Sequence, residues 1–200
     1  MTKAKLKSLV LAGGASTRMG VDKALLSYHG EPQVRFLARA LSRLSDEVCV
    51  SVRRDQLTDA RFDGLKLLPD RDEGIGPLEG LLSAFAYAPR AAWLVAAVDM
   101  PYVTASTLLR LTSSRDATTC ATAFRNPETD LPEPVLAIYE PAILSVLEKA
   151  KTSGRYSLML LRDVPVHLIE AKNARELLNV NNVQEYREFQ KVTKGTARET

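Results

Sequence analysis

Residues 93–98, Trp-Leu-Val-Ala-Ala-Val, form a near-continuous apolar run that stops at Asp99, Met100 and Pro101. A run with no polar face is what a central parallel strand requires when helices cover both sides of its sheet. Further strands are predicted at residues 7–12, 47–52, 65–68, 118–124, 135–139 and 164–169. Between them lie helical patterns. Pro32 opens one with apolar residues at Val34, Leu37, Ala38, Leu41 and Leu44, and Pro77 opens another, to about Ala88, with Leu78, Leu81, Leu82 and Phe85. Others start near Thr104, run from Pro141 to about Lys151, and cover 157–161 and 183–192. Residues 23–28 read as a short extended segment closed by His29 and Gly30. The alternation predicts an α/β fold: a doubly wound, mostly parallel, Rossmann-like sheet in a single domain, residues 1–193. The polar residues 194–200 are expected to be a disordered tail.

Composition narrows the partners. The 200 residues carry 46% hydrophobic and 26% charged side chains and a net charge of +3, which suits an anionic small substrate. No dense Lys/Arg block with interleaved aromatics points to nucleic acid. No apolar run approaches the ~20 residues of a membrane span. The basic N-terminus is followed by an apolar run too short for a signal peptide, so a cytoplasmic location is expected. Cys49 and Cys120 have no second cysteine or histidine at metal-ligand spacing and read as buried free thiols. His29 and His167 are isolated.

The first strand leads into the most informative stretch, Leu9-Val10-Leu11-Ala12-Gly13-Gly14-Ala15-Ser16-Thr17-Arg18-Met19-Gly20-Val21-Asp22-Lys23. Gly13 and Gly14 let the backbone take positive φ and approach a ligand closely. Successive N–H groups in such a loop form an anion site, which Arg18 and Lys23 complement. The reading is a triphosphate-binding loop. It is not a Walker A loop, because no lysine follows a glycine at the required spacing, and its adjacent glycines do not fit Gly-x-Gly-x-x-Gly.

Other strand ends carry candidate residues. Arg53 and Arg54 follow the second strand, where they face either solvent or a nucleotide. An acidic, glycine-rich loop beginning at Asp70 follows the third. Asp99 caps the apolar central strand. A carboxylate there is costly unless paired, hydrogen-bonded or bound to a cation, which makes it the first candidate ligand for Mg²⁺. Thr104 is better placed to cap the next helix. Ligands in doubly wound folds bind outside the carboxyl ends of the strands. The Gly13 loop, Asp70 and Asp99 converge on that one edge.

Residues 11–23 resemble the signature of the nucleotidyltransferases similar to molybdenum cofactor guanylyltransferase, the MobA-like family. The resemblance implies transfer of GMP from GTP to molybdopterin, with release of pyrophosphate, Mg²⁺ as cofactor, and links to other molybdenum cofactor biosynthesis proteins. It also implies site residues: Leu11, Ala12, Gly13, Gly14, Lys23 and Asp70 for the nucleotide, Asp99 for nucleotide and metal, and Arg18, Lys23 and Asp99 for catalysis. Gly76, Pro77, Leu78 and Gly80 match a run that backs the base pocket. Asn179 and Asn181 match a pair before the last helix and either contact substrate or metal, or cap the helix. Glu133 stands where the family carries a basic or polar residue. It would repel a phosphorylated acceptor, or else bind a polar pterin edge or a second metal. Residues 151–156 form a small basic segment suited to acceptor phosphate. The alternatives are a cytidylyltransferase, a nucleotidyltransferase for another cofactor or a sugar or alditol phosphate, and a non-catalytic nucleotide-binding module. The Ala-Gly-Gly form with Asp22 before Lys23 favours the guanylyl branch.

Overall fold

The computed structural model describes residues 3–14, 23–72 and 75–196, with side chains as far as Lys191. Its main elements are β1 (Leu6–Leu11), α1 (Gln33–Leu41), β2 (Val48–Val52), β3 (Leu67–Pro69), α2 (Pro77–Tyr87), β4 (Ala92–Ala97), α3 (Ala105–Ser113), β5 (Ala121–Arg125), β6 (Pro132–Tyr139), α4 (Leu144–Thr152), β7 (Val166–Glu170) and α5 (Val183–Thr196). The strands form one seven-stranded sheet in the order β3-β2-β1-β4-β6-β5-β7. The direction of winding reverses between β1 and β4, where a doubly wound sheet opens its ligand crevice.

Alternate residues of each strand feed two cores. Val10, Val50, Leu94 and Ile138 meet α1 and α3 on one face, while Leu9, Cys49, Trp93, Val95 and Tyr139 meet α2 and α4 on the other. Every residue of β4 is buried, as its unbroken apolar run requires. Thr104 caps α3, its side chain accepting from the Thr107 N–H.

The sheet is mostly parallel, as expected; β6 runs antiparallel to both β4 and β5, so β4 has a parallel neighbour on one side only. Other expectations need correction. Residues 23–28 are not extended. They form a 3₁₀ turn, Lys23–Leu25, followed by an isolated bridge from Ser27 to Pro32. The segment closes on its own backbone instead, the Leu26 N–H donating to the Lys23 carbonyl at 3.3 Å and the Gln33 N–H to the Leu26 carbonyl at 2.9 Å. Residues 158–163 form the expected helical segment as a 3₁₀ helix; its three-residue repeat stacks Leu158 over Leu161 into the core. The α5 helix reaches Thr196, into the stretch read as a tail, and residues 197–200 lie outside the described residues. Cys49 is buried but Cys120 only half-buried, and both are free. No helix among the described residues is long and apolar enough to cross a membrane.

Candidate active site

Strand register brings the candidate residues to one edge. Leu11 pairs with Ser51 and Ala97, and Val52 pairs with Pro69. Gly13, Arg53, Asp70 and Asp99 therefore emerge side by side just beyond those pairs. They border a cleft of about 760 Å³ whose lining runs from Ser51, Asp70, Asp72 and Gly76, across residues 11–14, to Lys23, Asp99 and Val135. The sequence-predicted residues Leu11, Ala12, Gly13, Gly14, Lys23, Asp70 and Asp99 all line it. Arg18, with the rest of residues 15–22, lies outside the described residues.

Gly13 and Gly14 do not take positive φ, so their conformational freedom is not what the loop uses. Gly13 is required by close approach: a Cβ there would sit 2.8 Å from Asp70 Oδ2 and 3.4 Å from the Arg53 nitrogen. A Cβ on Gly14 would meet nothing within 4 Å among the described residues. Arg53 holds the loop from behind. Its Nη1 donates to the carbonyls of Gly13 and Gly14 at 3.2 and 3.3 Å, and its remaining nitrogens grip Asp55. A cation on the carbonyl oxygens helps fix the orientation of these peptides.

Asp70 is tethered by Ser51 Oγ, which donates to Oδ1 at 2.8 Å. Burial pushes its carboxyl above the ordinary range; Ser51 and Arg53 oppose the shift and Glu79 adds to it. The loop then turns into α2 through Gly76, at φ 72° and ψ −148°, a conformation open essentially only to glycine. Gly80 lets α2 lie on the sheet, since a Cβ there would come within 2.5 Å of Ser51 Oγ and 2.8 Å of Leu11 Cδ2. Glu79 is fully buried in the first turn of α2. It accepts from the Arg71 N–H at 3.3 Å and from Lys151 Nζ at 2.8 Å, and Lys151 also pairs with Asp72 at 2.6 Å. Lys151, expected to offer charge to an acceptor phosphate, is thus committed to bracing the acidic loop against α4.

At the other end, Asp99 Oδ2 lies 3.8 Å from Lys23 Nζ. Lys23 also donates to Asn181 Oδ1 at 2.8 Å, and the Val180 N–H donates to the Asp99 carbonyl at 2.7 Å. Of the two asparagines singled out, Asn181 joins this cluster. Asn179 is exposed. Neither caps α5; Asn182 does, accepting from the Glu185 N–H at 3.0 Å. Burial pushes the Asp99 carboxyl up, and Lys23 pulls it back. Its Oδ1 is buried without a hydrogen-bond partner among the described residues. An orphaned carboxylate oxygen beside a loop suited to phosphate fits a hard divalent cation that takes one or two carboxylates and shares substrate oxygens. No group of three or more His, Cys, Asp or Glu side chains assembles for a metal among the described residues. Glu133, only 6% exposed, is held by Asn126 Nδ2 and the Val135 N–H at 3.3 and 3.4 Å. Burial raises its carboxyl, Asp99 adds to the shift, and the hydrogen bonds from Val135 and Asn126 oppose it.

Sequence reasoning left Arg53 between solvent and nucleotide and gave Glu79 no role. A positive residue after a strand was a partial signal for the first. A charged residue in the apolar face of a helix was the available signal for the second.

The comparisons agree with this architecture. Residues 8–168 match the model of the MobA-like NTP transferase domain. A molybdenum cofactor guanylyltransferase of Pseudomonas entomophila is 34% identical over 183 residues, covering 87% of this chain and 92% of that protein. The molybdenum cofactor biosynthesis bifunctional protein of Synechocystis is 30% identical over 187 residues, 93% of this chain; the chain spans only 54% of that longer relative. Among solved structures, molybdopterin-guanine dinucleotide biosynthesis protein A of Archaeoglobus fulgidus superposes with a TM-score of 0.78 at 21% identity, covering 94% of this chain and 99% of that one. Family model, curated relatives and fold together make this chain a member of the MobA-like NTP transferase domain family, and so a nucleotidyltransferase.

Proposed function

We infer that this protein transfers GMP from GTP to molybdopterin, releasing pyrophosphate and forming a guanine dinucleotide cofactor. The observation that carries the reading is the single cleft in which the Gly13–Gly14 loop, Asp70, Lys23 and Asp99 meet. Relatives named as molybdenum cofactor guanylyltransferases support the choice of substrates. In this reading an acceptor phosphate oxygen displaces pyrophosphate from the α-phosphorus in line, and no protein nucleophile is required. Residues 11–14 bind base and phosphate through their backbone, with Arg53 holding the carbonyls away. Asp70 holds the nucleotide from the β3 side. Lys23, together with Arg18, steadies charge on the leaving pyrophosphate, and Asn181 positions Lys23. Asp99 is the ligand for Mg²⁺, which supplies charge neutralisation of the phosphates. Catalysis is then positioning and electrostatic stabilisation. Other molybdenum cofactor biosynthesis proteins are the natural partners for supply and delivery, and the site of action is the cytoplasm.

The test is pyrophosphate release from GTP, CTP, ATP and UTP with Mg²⁺, with and without molybdopterin. Release from GTP that depends on molybdopterin is expected. Release from CTP instead overturns the guanylyl assignment. Asp99→Ala is expected to fold normally and lose at least a hundredfold in turnover, about the contribution of one electrostatic group in a preorganised site. Full magnesium-dependent turnover in that variant removes the metal assignment.

A further inference from the structure

Strand β2 reads Val-Cys-Val-Ser-Val, and Ser51 carries its one hydroxyl. The residue is 2% exposed and lines the cleft together with Asp70. Its backbone and side chain serve different neighbours. The Ser51 carbonyl accepts from the Ala12 N–H at 3.0 Å, which sets the path of the chain into the Gly13 loop. The hydroxyl donates to Asp70 Oδ1 at 2.8 Å. Helix α2 presses on it from the side, since a Cβ on Gly80 would come within 2.5 Å of Ser51 Oγ.

The torsion that turns a carboxylate about its own bond is broad and two-fold, so a staggered rotamer does not fix the plane of the group. A hydrogen bond to one oxygen does. With Oδ1 engaged by Ser51, Oδ2 is the oxygen that stands over Gly13, 2.8 Å from where a Cβ would lie. Oδ2 accepts no hydrogen bond among the described residues. An ionised carboxylate only accepts, so the partner it can take from a ligand is an N–H or O–H.

We propose that Ser51 is a positioning residue for the nucleotide: its hydroxyl turns the Asp70 carboxylate so that Oδ2 accepts from an N–H or O–H of the nucleotide. The inference rests on the reading of Asp70 given under the proposed function. Ser51 also helps to keep Asp70 ionised. Burial raises the Asp70 carboxyl most, the hydrogen bond from Ser51 lowers it, Glu79 of α2 raises it and Arg53 beyond β2 lowers it. Without the hydroxyl, Asp70 takes up a proton more easily.

A double-mutant cycle of Ser51→Ala and Asp70→Asn tests this, read by calorimetric titration of GTP with Mg²⁺ and without molybdopterin. Ser51→Ala is expected to weaken GTP binding about tenfold, and Asp70→Asn by at least as much. In the Asp70→Asn background, Ser51→Ala is expected to cost less than about twofold, because its route to the ligand is already gone. Affinity is also followed into acid, with Asp70→Asn as the reference that removes the titration of GTP itself. The loss assigned to Asp70 is expected to begin about one pH unit higher in Ser51→Ala than in the wild type. Ser51→Cys, whose thiol is a weak donor, is expected to bind GTP with an affinity between those of the wild type and Ser51→Ala. Equal weakening by Ser51→Ala in both backgrounds overturns the proposal, since the hydroxyl then acts by another route. Wild-type affinity in Ser51→Ala, with affinity lost in Asp70→Asn, overturns the role of Ser51 and leaves the reading of Asp70 standing. Wild-type affinity in Asp70→Asn overturns both.

Discussion

Gly13 and Gly14 are adjacent, yet the structure gives them different reasons to be glycine. At position 13 the neighbouring strand ends leave no room: Asp70 Oδ2 and the Arg53 backbone crowd the space a Cβ would fill. Gly13→Ala is therefore expected to displace Asp70 from Ser51 and lower stability by about 1–3 kcal/mol, the usual cost of overpacking. At position 14 the same methyl meets none of the described residues within 4 Å and lines the cleft. Gly14→Ala is expected to melt like the wild type but bind GTP more weakly, because the methyl narrows the approach of the loop to phosphate. Melting curves and nucleotide titrations of the two variants check this. Equal melting temperatures would refute the crowding argument at Gly13.

Between elements, the informative contact is the one that joins α2, α4 and the acidic loop. Glu79 is fully buried and takes its charge balance from Lys151, which reaches from the last turn of α4 and also holds Asp72. Removing one partner of a buried pair leaves an uncompensated charge and costs about 3–5 kcal/mol, whereas replacing both with apolar side chains is often neutral. Because Lys151 keeps 30% of its side chain exposed and Glu79 retains the Arg71 N–H, Lys151→Met is expected to cost less than that, about 1–3 kcal/mol, and the Glu79→Leu/Lys151→Met double variant to regain most of the loss. A double-mutant cycle by denaturant unfolding measures the coupling. Simple additivity would show that Lys151 and Glu79 do not act as a unit. Asp70 and Asp72 line the cleft from this same loop, so loosening it is also expected to raise KM for the nucleotide.

Over the whole molecule, the two ends of the sheet differ in task. The carboxyl end carries the cleft. At the amino end, Glu47 binds both Lys7 of β1 and Lys66, and accepts from the Tyr87 hydroxyl at 3.2 Å. Hydrogen bonds from Lys66 and Lys7 hold its carboxyl down to about 2, against an ordinary 4.5. A carboxyl lowered on folding contributes stability above its ordinary value and loses it as pH falls toward the lowered one. The melting temperature of Glu47→Gln is therefore expected to lie below that of the wild type at pH 6, with the gap closing between about pH 4.5 and pH 2. Turnover at neutral pH should not change, since Glu47 is not part of the cleft lining. A gap that widens in acid would refute the assignment.

The sequence by itself determined the layered α/β architecture, because unbroken apolar runs alternating with helical periods can be buried in few other ways. It also marked the loop at Gly13, the acid at Asp70 and the acid at Asp99, since each stands where an apolar strand ends and a buried charge or bare backbone needs a reason. Only the tertiary structure decided the rest. Whether β6 runs parallel or antiparallel to its neighbours depends on chain path, and apolar pattern does not encode direction. The partners of Arg53, Glu79 and Lys151 depend on register and helix docking between segments far apart in sequence. The orphaned oxygen of Asp99 is a property of what surrounds it, and a list of residues cannot show which polar groups find a partner.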